Sequence, residues 1–174
     1  LDEIQAWVKD ERGPYRHAIH WAEKNLSFVN MKILEIGCGP GVFLNECRQR
    51  GAVVNGVDVS PKAAELAKSK NGFEIIQTEL DEALNTGLLT AKSFDAIFAF
   101  EVIEHVPHVG KLFHQLNELL KPEGHLFTST PNFNLFYTLG KTAPAVCQWR
   151  EHVHFFTPDT LRNILKKNGF SVAY

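Results

Sequence analysis

The sequence has few cysteines, and their placement argues against the usual structural uses of this residue. Only three are present among 174 residues, Cys38, Cys47 and Cys147. An odd count without a Cys-x-x-Cys pair speaks against a disulfide framework and against a structural zinc site. The cysteine content therefore favours a reducing compartment, and we expect a cytoplasmic protein.

Long apolar runs and an excess of one charge are also missing. No run approaches the roughly 20 apolar residues that cross a bilayer, and no secretory signal is visible. The formal net charge is −2, so the chain has no general attraction for nucleic acid or anionic membranes. It also lacks a basic stripe with interleaved aromatic residues. We therefore expect no nucleic-acid partner and no membrane contact.

Short apolar segments alternate with amphipathic ones along the whole chain, without repeats or a linker. We predict strands over residues 31–37, 53–59, 73–80, 94–100 and 124–131 and from residue 170, and helices over 15–28, 41–50, 61–70, 109–121 and 157–169. Such alternation is typical of a mostly parallel sheet covered by helices on both faces. The prediction is a single α/β domain, residues 1–174, with a Rossmann-like, doubly wound sheet.

A glycine-rich turn, EIGCGPG over residues 35–41, follows the first predicted strand, and Asp58 ends the second. Glycines allow positive φ angles and close approach of a ligand to the backbone, and a carboxylate at the position of Asp58 can accept both hydroxyls of a ribose. A nucleotide-like ligand is therefore expected. NAD is the competing ligand, but its fingerprint is G-x-G-x-x-G, and Val42 stands where the third glycine would fall.

Four segments in order resemble the motifs of class I methyltransferases that use S-adenosylmethionine (SAM). They are LEIGCGPGVFL, GVDVS, FDAIFAFEVIEHV and LKPEGHLFTSTPN, within residues 30–132. The group most similar contains ubiquinone-type O-methyltransferases and enzymes encoded with sugar biosynthesis. The resemblance implies SAM as cofactor and a small-molecule acceptor, with oxygen favoured. Seven strands are usual in that fold and this chain stops at the sixth, so the last strand is expected to be missing.

The resemblance also implies which residues hold SAM. The glycine turn would hold the methionine part, Asp58 the ribose, and Val59 and the Glu79–Leu80 pair the adenine, while Phe100 and Glu101 would lie at the ammonium group and the mouth of the site. The implied set is Glu35, Gly37, Cys38, Gly39, Gly41, Asp58, Val59, Glu79, Leu80, Phe100 and Glu101. Glu79 departs from the family pattern, in which aspartate is more usual.

Histidines near the ends of the fourth and fifth strands are candidate catalytic residues, because an oxygen acceptor benefits from a general base with a pKa near neutrality. We select His105, in EVIEHV, and His152 and His154, in REHVHFF. The alternatives are a structural role for His105 at a helix start and ordinary loop positions for the other two. No metal site is predicted.

The connection over residues 131–156 is long and aromatic, which is typical of a functional loop. We interpret it as a substrate-side insert or lid; the alternative is a helical insert with a small core of its own. For the whole chain, the leading hypothesis is a SAM-dependent methyltransferase. A non-catalytic protein of the same fold and an NAD-linked oxidoreductase are the alternatives.

Overall fold

The computed structural model describes residues 5–6, 9–10, 13–135 and 151–173. The strands are β1 (Lys32–Ile36), β2 (Val53–Val57), β3 (Phe94–Phe100) and β4 (Leu120–Ser129). The helices are α1 (Pro14–Asn25), α2 (Val42–Gln49), α3 (Pro61–Leu66, continued by a π-helical turn over Ala67–Asn71), α4 (Leu80–Asn85), α5 (Val109–Leu119) and α6 (Pro158–Lys167).

The strands form one sheet in the order β2-β1-β3-β4. The central strand β1 pairs in parallel with both of its neighbours, with Ile36 opposite Val57 of β2 and Ile33 opposite Ala96 of β3. Strand β4 lies at an edge, which is where a sheet tolerates the missing N–H of Pro122. The predicted α/β class with a Rossmann-like parallel sheet is confirmed.

The backbone groups into two compact units. The first comprises Leu1–Phe100 and Leu119–Phe127, and the second comprises Glu101–Glu118 and Thr128–Tyr174. Among the described residues, no helix has both the length and the apolar character needed to cross a membrane. The assignment of the whole chain to one domain stays a prediction.

An aromatic cluster forms the core of the first unit beneath the end of β3. Phe43 of α2 packs edge-on against Phe98, with ring centroids 4.8 Å apart, and Phe98 stacks on Phe127 at 4.7 Å. Tyr15 of α1 contacts Phe100 at 4.5 Å. Edge-to-face and offset pairs at these distances stabilise a core beyond the area they bury. This packing fixes the ends of β1 and β3, where the first candidate site lies.

The third predicted strand, residues 73–80, is wrong. Only Ile76 makes a parallel bridge, to Val57, and the chain then turns at Thr78, whose N–H donates to the Ile76 carbonyl at 3.1 Å. Residues 73–79 alternate between half-buried and exposed positions, and none is fully buried. The turn at Thr78 ends the pairing with β2 after a single bridge, and helix α4 begins at Leu80.

In the second unit, α5 packs against the chain that follows α6. The rings of Phe113 and Phe170 lie 6.3 Å apart, and the Asn117 side chain donates to the Asn168 carbonyl at 3.0 Å. The strand predicted from residue 170 is absent from residues 170–173, the part of it that the structure describes. Phe170 instead donates its N–H to Leu165 at the end of α6, which folds this segment back on the helix.

Candidate active site

The glycine turn, residues 37–41, adopts the left-handed backbone that its sequence predicts. Gly37, Gly39 and Gly41 have φ angles of 68°, 51° and 72°, a region that side chains with a Cβ rarely enter. The N–H groups of Gly37 and Cys38 both donate to the carbonyl of Val57, at 2.9 and 3.2 Å. The turn is therefore fastened to the end of β2 through the backbone.

Asp58, directly after β2, joins the turn to the start of α3. Its Oδ2 accepts from the Gly39 N–H at 2.7 Å and its Oδ1 from the Ser60 N–H at 2.8 Å. A carboxylate oxygen has two lone pairs, so each oxygen can accept one further hydrogen bond. The carboxylate thus shapes the turn and keeps acceptors for the hydroxyls of a ligand.

Glu35, at the end of β1, is a buried carboxylate with unsatisfied hydrogen-bonding capacity. Only 1% of the residue is exposed, and its Oε2 has no partner among the described residues. Burial, assisted by the charge of Asp58, raises the pKa of the Glu35 carboxyl well above its usual value. A buried acceptor without a partner is costly, so this position favours a donor or a cation supplied from outside the protein.

The room available for a side chain differs between two glycines of the turn. A Cβ added to Gly39 would meet nothing within 4 Å, whereas a Cβ on Gly41 would lie 2.4 Å from the ring of Phe73. Gly41 is therefore needed for internal packing, and Gly39 faces open space. Cys38 is buried, and burial raises the pKa of its thiol, so the group stays protonated and chemically inert.

The other residues predicted to hold the cofactor lie at the ends of the same strands. Val59 is 64% exposed beside Asp58, as a residue that packs on a planar ring would be. Glu79 is exposed and immediately precedes α4, and Leu80 begins that helix. Phe100 ends β3 with its ring buried in the aromatic core, so its backbone alone can contact a ligand.

In the second unit, Glu101 has a strained backbone and an anchored side chain. Its φ is 53°, which is uncommon for a residue with a Cβ, and its N–H donates to the Ser129 carbonyl at 3.1 Å. Its carboxylate accepts from the Ser129 hydroxyl at 2.8 Å. Burial, with the charge of Glu104 adding to it, raises the pKa of Glu101.

Two of the three predicted catalytic histidines come together beside Glu104. The rings of His105 and His152 lie 4.7 Å apart, and ligand atoms of Glu104, His105 and His152 all lie within 4.8 Å of one another. We call Glu101, Glu104, His105 and His152 the carboxylate–histidine cluster. Burial, together with the charge of His105, lowers the pKa of His152, which favours the neutral imidazole.

His154 is not part of this group, and its Nε2 lies 3.3 Å from the Pro107 carbonyl. The N–H groups of Val153 and His154 both donate to the backbone carbonyl of Glu104, at 2.8 and 3.1 Å. These two bonds hold the 152–154 segment in place. His152 and His154 thus have different partners, although they stand only two positions apart.

Two residues that contact the predicted site residues of the second unit, Glu104 and Ser129, were not predicted from the sequence. Glu104 was not selected as a site residue, although it stands three positions after Glu101 and next to His105 in EVIEH. Ser129, the partner of Glu101, has no local signal, since the pairing spans 28 positions along the chain. Acidic residues spaced by three next to a histidine would have been a usable indication.

The predicted lid lies mostly outside the described residues, since 136–150 are not among them. Its described ends meet: Asn132 and Phe156 form a parallel bridge, and the Phe133 N–H donates to the Phe156 carbonyl at 2.8 Å. The rings of Phe133 and Phe155 are 5.1 Å apart. The lid itself stays a prediction.

Comparison with known proteins gives consistent matches. A family model described as a methyltransferase domain matches residues 7–174. The mitochondrial ubiquinone biosynthesis O-methyltransferase of Mus musculus is 33% identical over 170 residues, which are 89% of this chain and 45% of that protein. The enzyme of the same name from Bartonella tribocorum is 34% identical over 161 residues, covering 84% of this chain and 63% of its own length. The chain therefore spans less than two thirds of these relatives.

Solved structures agree on the fold. The SAM-dependent methyltransferase from Mesorhizobium loti matches with a TM-score of 0.73 at 22% identity, over 94% of this chain and 84% of that one. Magnesium protoporphyrin IX methyltransferase from Synechocystis, solved with bound S-adenosylhomocysteine, matches with a TM-score of 0.70 at 22% identity, over 91% and 73%. At this identity the likeness establishes the architecture of the chain.

Proposed function

Because this chain belongs to the methyltransferase domain family, we propose that it transfers a methyl group from SAM to an oxygen atom of a small-molecule acceptor. The observation that carries the proposal is the glycine turn, with three left-handed glycines beside the carboxylates of Asp58 and Glu35. The names of the matched relatives, ubiquinone biosynthesis O-methyltransferases, support oxygen as the methylated atom.

The residues of the first unit fit the chemistry of SAM. The ribose of SAM offers two hydroxyl donors, and Asp58 keeps free lone pairs that can accept from them. The ammonium and sulfonium groups of SAM carry positive charge. Glu35 supplies a buried carboxylate with an unpartnered oxygen, and a nearby cation would favour its charged form. The open space over Gly39 leaves room for a ligand against the backbone. NAD instead carries an anionic pyrophosphate, and Val42 stands where the third glycine of its fingerprint would fall.

SAM supplies an electrophilic methyl group, and the protein's task is to orient the acceptor and accept its proton. During transfer the carbon–sulfur bond breaks, an oxygen–carbon bond forms, and one proton leaves the acceptor hydroxyl. We assign the acceptor side to the predicted histidines. His105 and His152 carry this assignment because their rings share a cluster, whereas the imidazole of His154 lies against the Pro107 carbonyl.

The test separates binding from transfer. The purified chain should transfer a labelled methyl group from SAM to at least one member of a panel of hydroxylated small molecules. Calorimetry should show that the chain binds SAM. His152→Ala should lower transfer by about 100-fold while it leaves SAM affinity unchanged. His114→Ala, at an exposed position of α5, is the matched control and should behave like the parent. A parent that binds SAM without methylating any acceptor would favour the non-catalytic alternative, and one that binds NAD but not SAM would favour the oxidoreductase.

A further inference from the structure

The segment that follows helix α3 has an uncommon backbone shape. Residues Ala67–Asn71 form a π-helical turn, and Gly72 ends it with a φ of 67°. Helical turns of this kind are rare and frequently occur at functional sites. The last residue of the π-helical turn, Asn71, contacts the glycine turn, although it lies 31 positions away from Pro40 along the chain.

The contact is made to the peptide unit between Pro40 and Gly41. The side-chain amide of Asn71 donates to the Pro40 carbonyl at 2.7 Å, and the Gly41 N–H donates to the Cys38 carbonyl at 2.9 Å. The pyrrolidine ring fixes the φ of Pro40, so this peptide plane can rotate only through the ψ of Pro40 and the φ of Gly41. The two hydrogen bonds therefore oppose the rotation that remains available to the turn.

Two further side chains hold Asn71 and Gly41 in place. Nη2 of Arg48, on helix α2, donates to the Asn71 backbone carbonyl at 2.6 Å. The Arg48 guanidinium also lies over the ring of Phe73, 5.1 Å from its centroid, and this ring fills the space in which a Cβ of Gly41 would lie. We call Arg48, Asn71 and Phe73 the brace of the glycine turn.

The brace complements the contacts on the other side of the turn. The Val57 carbonyl and the Asp58 carboxylate hold the residues up to Gly39, and the brace holds Pro40 and Gly41. A segment with three glycines has unusual backbone freedom, and a ligand that binds it must otherwise order it at a cost in affinity. Contacts that order the turn in advance remove that cost.

We propose that Asn71 is a positioning residue for the cofactor, because its hydrogen bond to the Pro40 carbonyl keeps the glycine turn in the arrangement that binds SAM. This inference rests on the proposed function and requires no contact between Asn71 and SAM. Without the bond, only a fraction of the molecules would have the turn ready, and the apparent dissociation constant would rise by the inverse of that fraction. The association rate should fall accordingly, while the dissociation rate stays the same because the contacts to SAM are unchanged.

The test compares Asn71→Ala and Asn71→Asp with Asn25→Ala and Asn25→Asp in the full chain. Asn25 is a matched control, since it is the last residue of α1 and its side chain also donates to a backbone carbonyl, that of Trp21, at 2.7 Å. Calorimetry measures the SAM affinity of each variant, and surface plasmon resonance measures the association and dissociation rates.

Asn71→Ala should bind SAM about fivefold to tenfold more weakly than the parent, through slower association alone. Asn71→Asp should bind more weakly still, because an ionised carboxylate cannot donate and repels the Pro40 carbonyl. Both Asn25 variants should bind as the parent does. Without SAM, the amide hydrogens of residues 38–45 should exchange faster in Asn71→Ala than in the parent.

Circular dichroism identifies any variant that fails to fold. If the Asn71 variants do not fold, Arg48→Ala serves in their place, because Arg48 is exposed and holds the Asn71 carbonyl. We expect it to weaken SAM binding by about twofold to threefold, again through slower association.

SAM affinity equal to the parent's in folded Asn71→Ala would overturn the proposal. Weaker binding caused by faster dissociation would also overturn it, since Asn71 would then contact SAM directly. A folded parent that does not bind SAM would contradict the proposed function itself. SAM binding by the parent together with unchanged affinity in the Asn71 variants would contradict only the positioning role of Asn71.

Discussion

The glycine turn and the carboxylate–histidine cluster achieve their geometry in opposite ways. The turn is a contiguous segment whose shape comes from backbone angles and from hydrogen bonds to the Val57 carbonyl and the Asp58 carboxylate. The cluster is assembled from side chains distant in sequence, and His105 contacts Glu151 across 46 positions. Substitutions that add a Cβ should therefore damage the turn, whereas the cluster should respond to changes of polar groups.

The two regions also differ in the surroundings of a buried carboxylate, Glu35 in the first unit and Glu104 in the second. Glu35 in the first unit and Glu104 in the second are both 1% exposed, and both have oxygens without a partner among the described residues. Glu35 ends β1 just before the turn in which Gly39 faces open space, while Glu104 lies beside the imidazoles of His105 and His152. Similar burial thus leads to different roles, because the neighbouring groups differ: the glycine turn and Asp58 for Glu35, and two imidazoles for Glu104.

The largest effect is expected from Gly41→Ala. The new Cβ would lie 2.4 Å from the Phe73 ring and would hold a φ of 72°, so overpacking adds to backbone strain. We expect the free energy of unfolding in urea to fall by about 3 kcal/mol. Gly87→Ala is the control, since its φ is 74° and its Cβ meets nothing within 4 Å. Equal losses in the two variants would show that Phe73 does not constrain the turn.

Glu35→Gln should have a smaller effect of opposite sign. The folded-state pKa of Glu35 is raised above the usual 4.5, so its contribution to stability is fully present below that pH and is lost as the pH rises through the folded value. Glutamine removes this loss, and we expect a gain of about 1–2 kcal/mol near pH 8 and little change near pH 4. Urea unfolding at both pH values measures the difference.

Exposed Glu123→Gln is the control for Glu35→Gln and should change stability at neither pH. The stabilised Glu35→Gln variant should nevertheless bind SAM more weakly than the parent, because the carboxylate would no longer face the cationic ligand. A variant that gains stability and keeps full SAM affinity would assign Glu35 a purely structural role.

The smallest effect concerns the anchoring of the cluster. Ser129→Ala removes the hydroxyl that donates to Glu101 at 2.8 Å, and we expect a loss of about 1 kcal/mol in the free energy of unfolding. The neighbouring Thr130→Val is the control, because the buried Thr130 hydroxyl has no partner among the described residues. That variant should be neutral or slightly stabilised. If Ser129→Ala were also neutral, the Glu101 conformation would depend on its backbone bond alone.

The features that could be predicted from the sequence are those that depend on local contacts, and the features that were missed depend on contacts between distant residues. Strands β1 to β3 and helices α5 and α6 follow from periodicity and end signals such as Thr157, because those signals act within a few residues. The segment 73–80 was misjudged, because alternation alone does not show where a turn such as the one at Thr78 ends the pairing of a strand. The pairing of His105 with His152, and of Glu101 with Ser129, depends on long-range packing that no local pattern encodes.

The most direct test of the account compares SAM binding by Gly39→Ala and Gly87→Ala in calorimetry. Both glycines have positive φ and open space at the Cβ, so both variants should lose about 1 kcal/mol of stability. Only at Gly39 would the methyl group occupy the space over the turn. We predict that Gly39→Ala weakens SAM binding by at least about tenfold and that Gly87→Ala binds as the parent does. SAM affinity equal to the parent's in Gly39→Ala, or no SAM binding by the folded parent, would contradict the assignment of the turn to the cofactor.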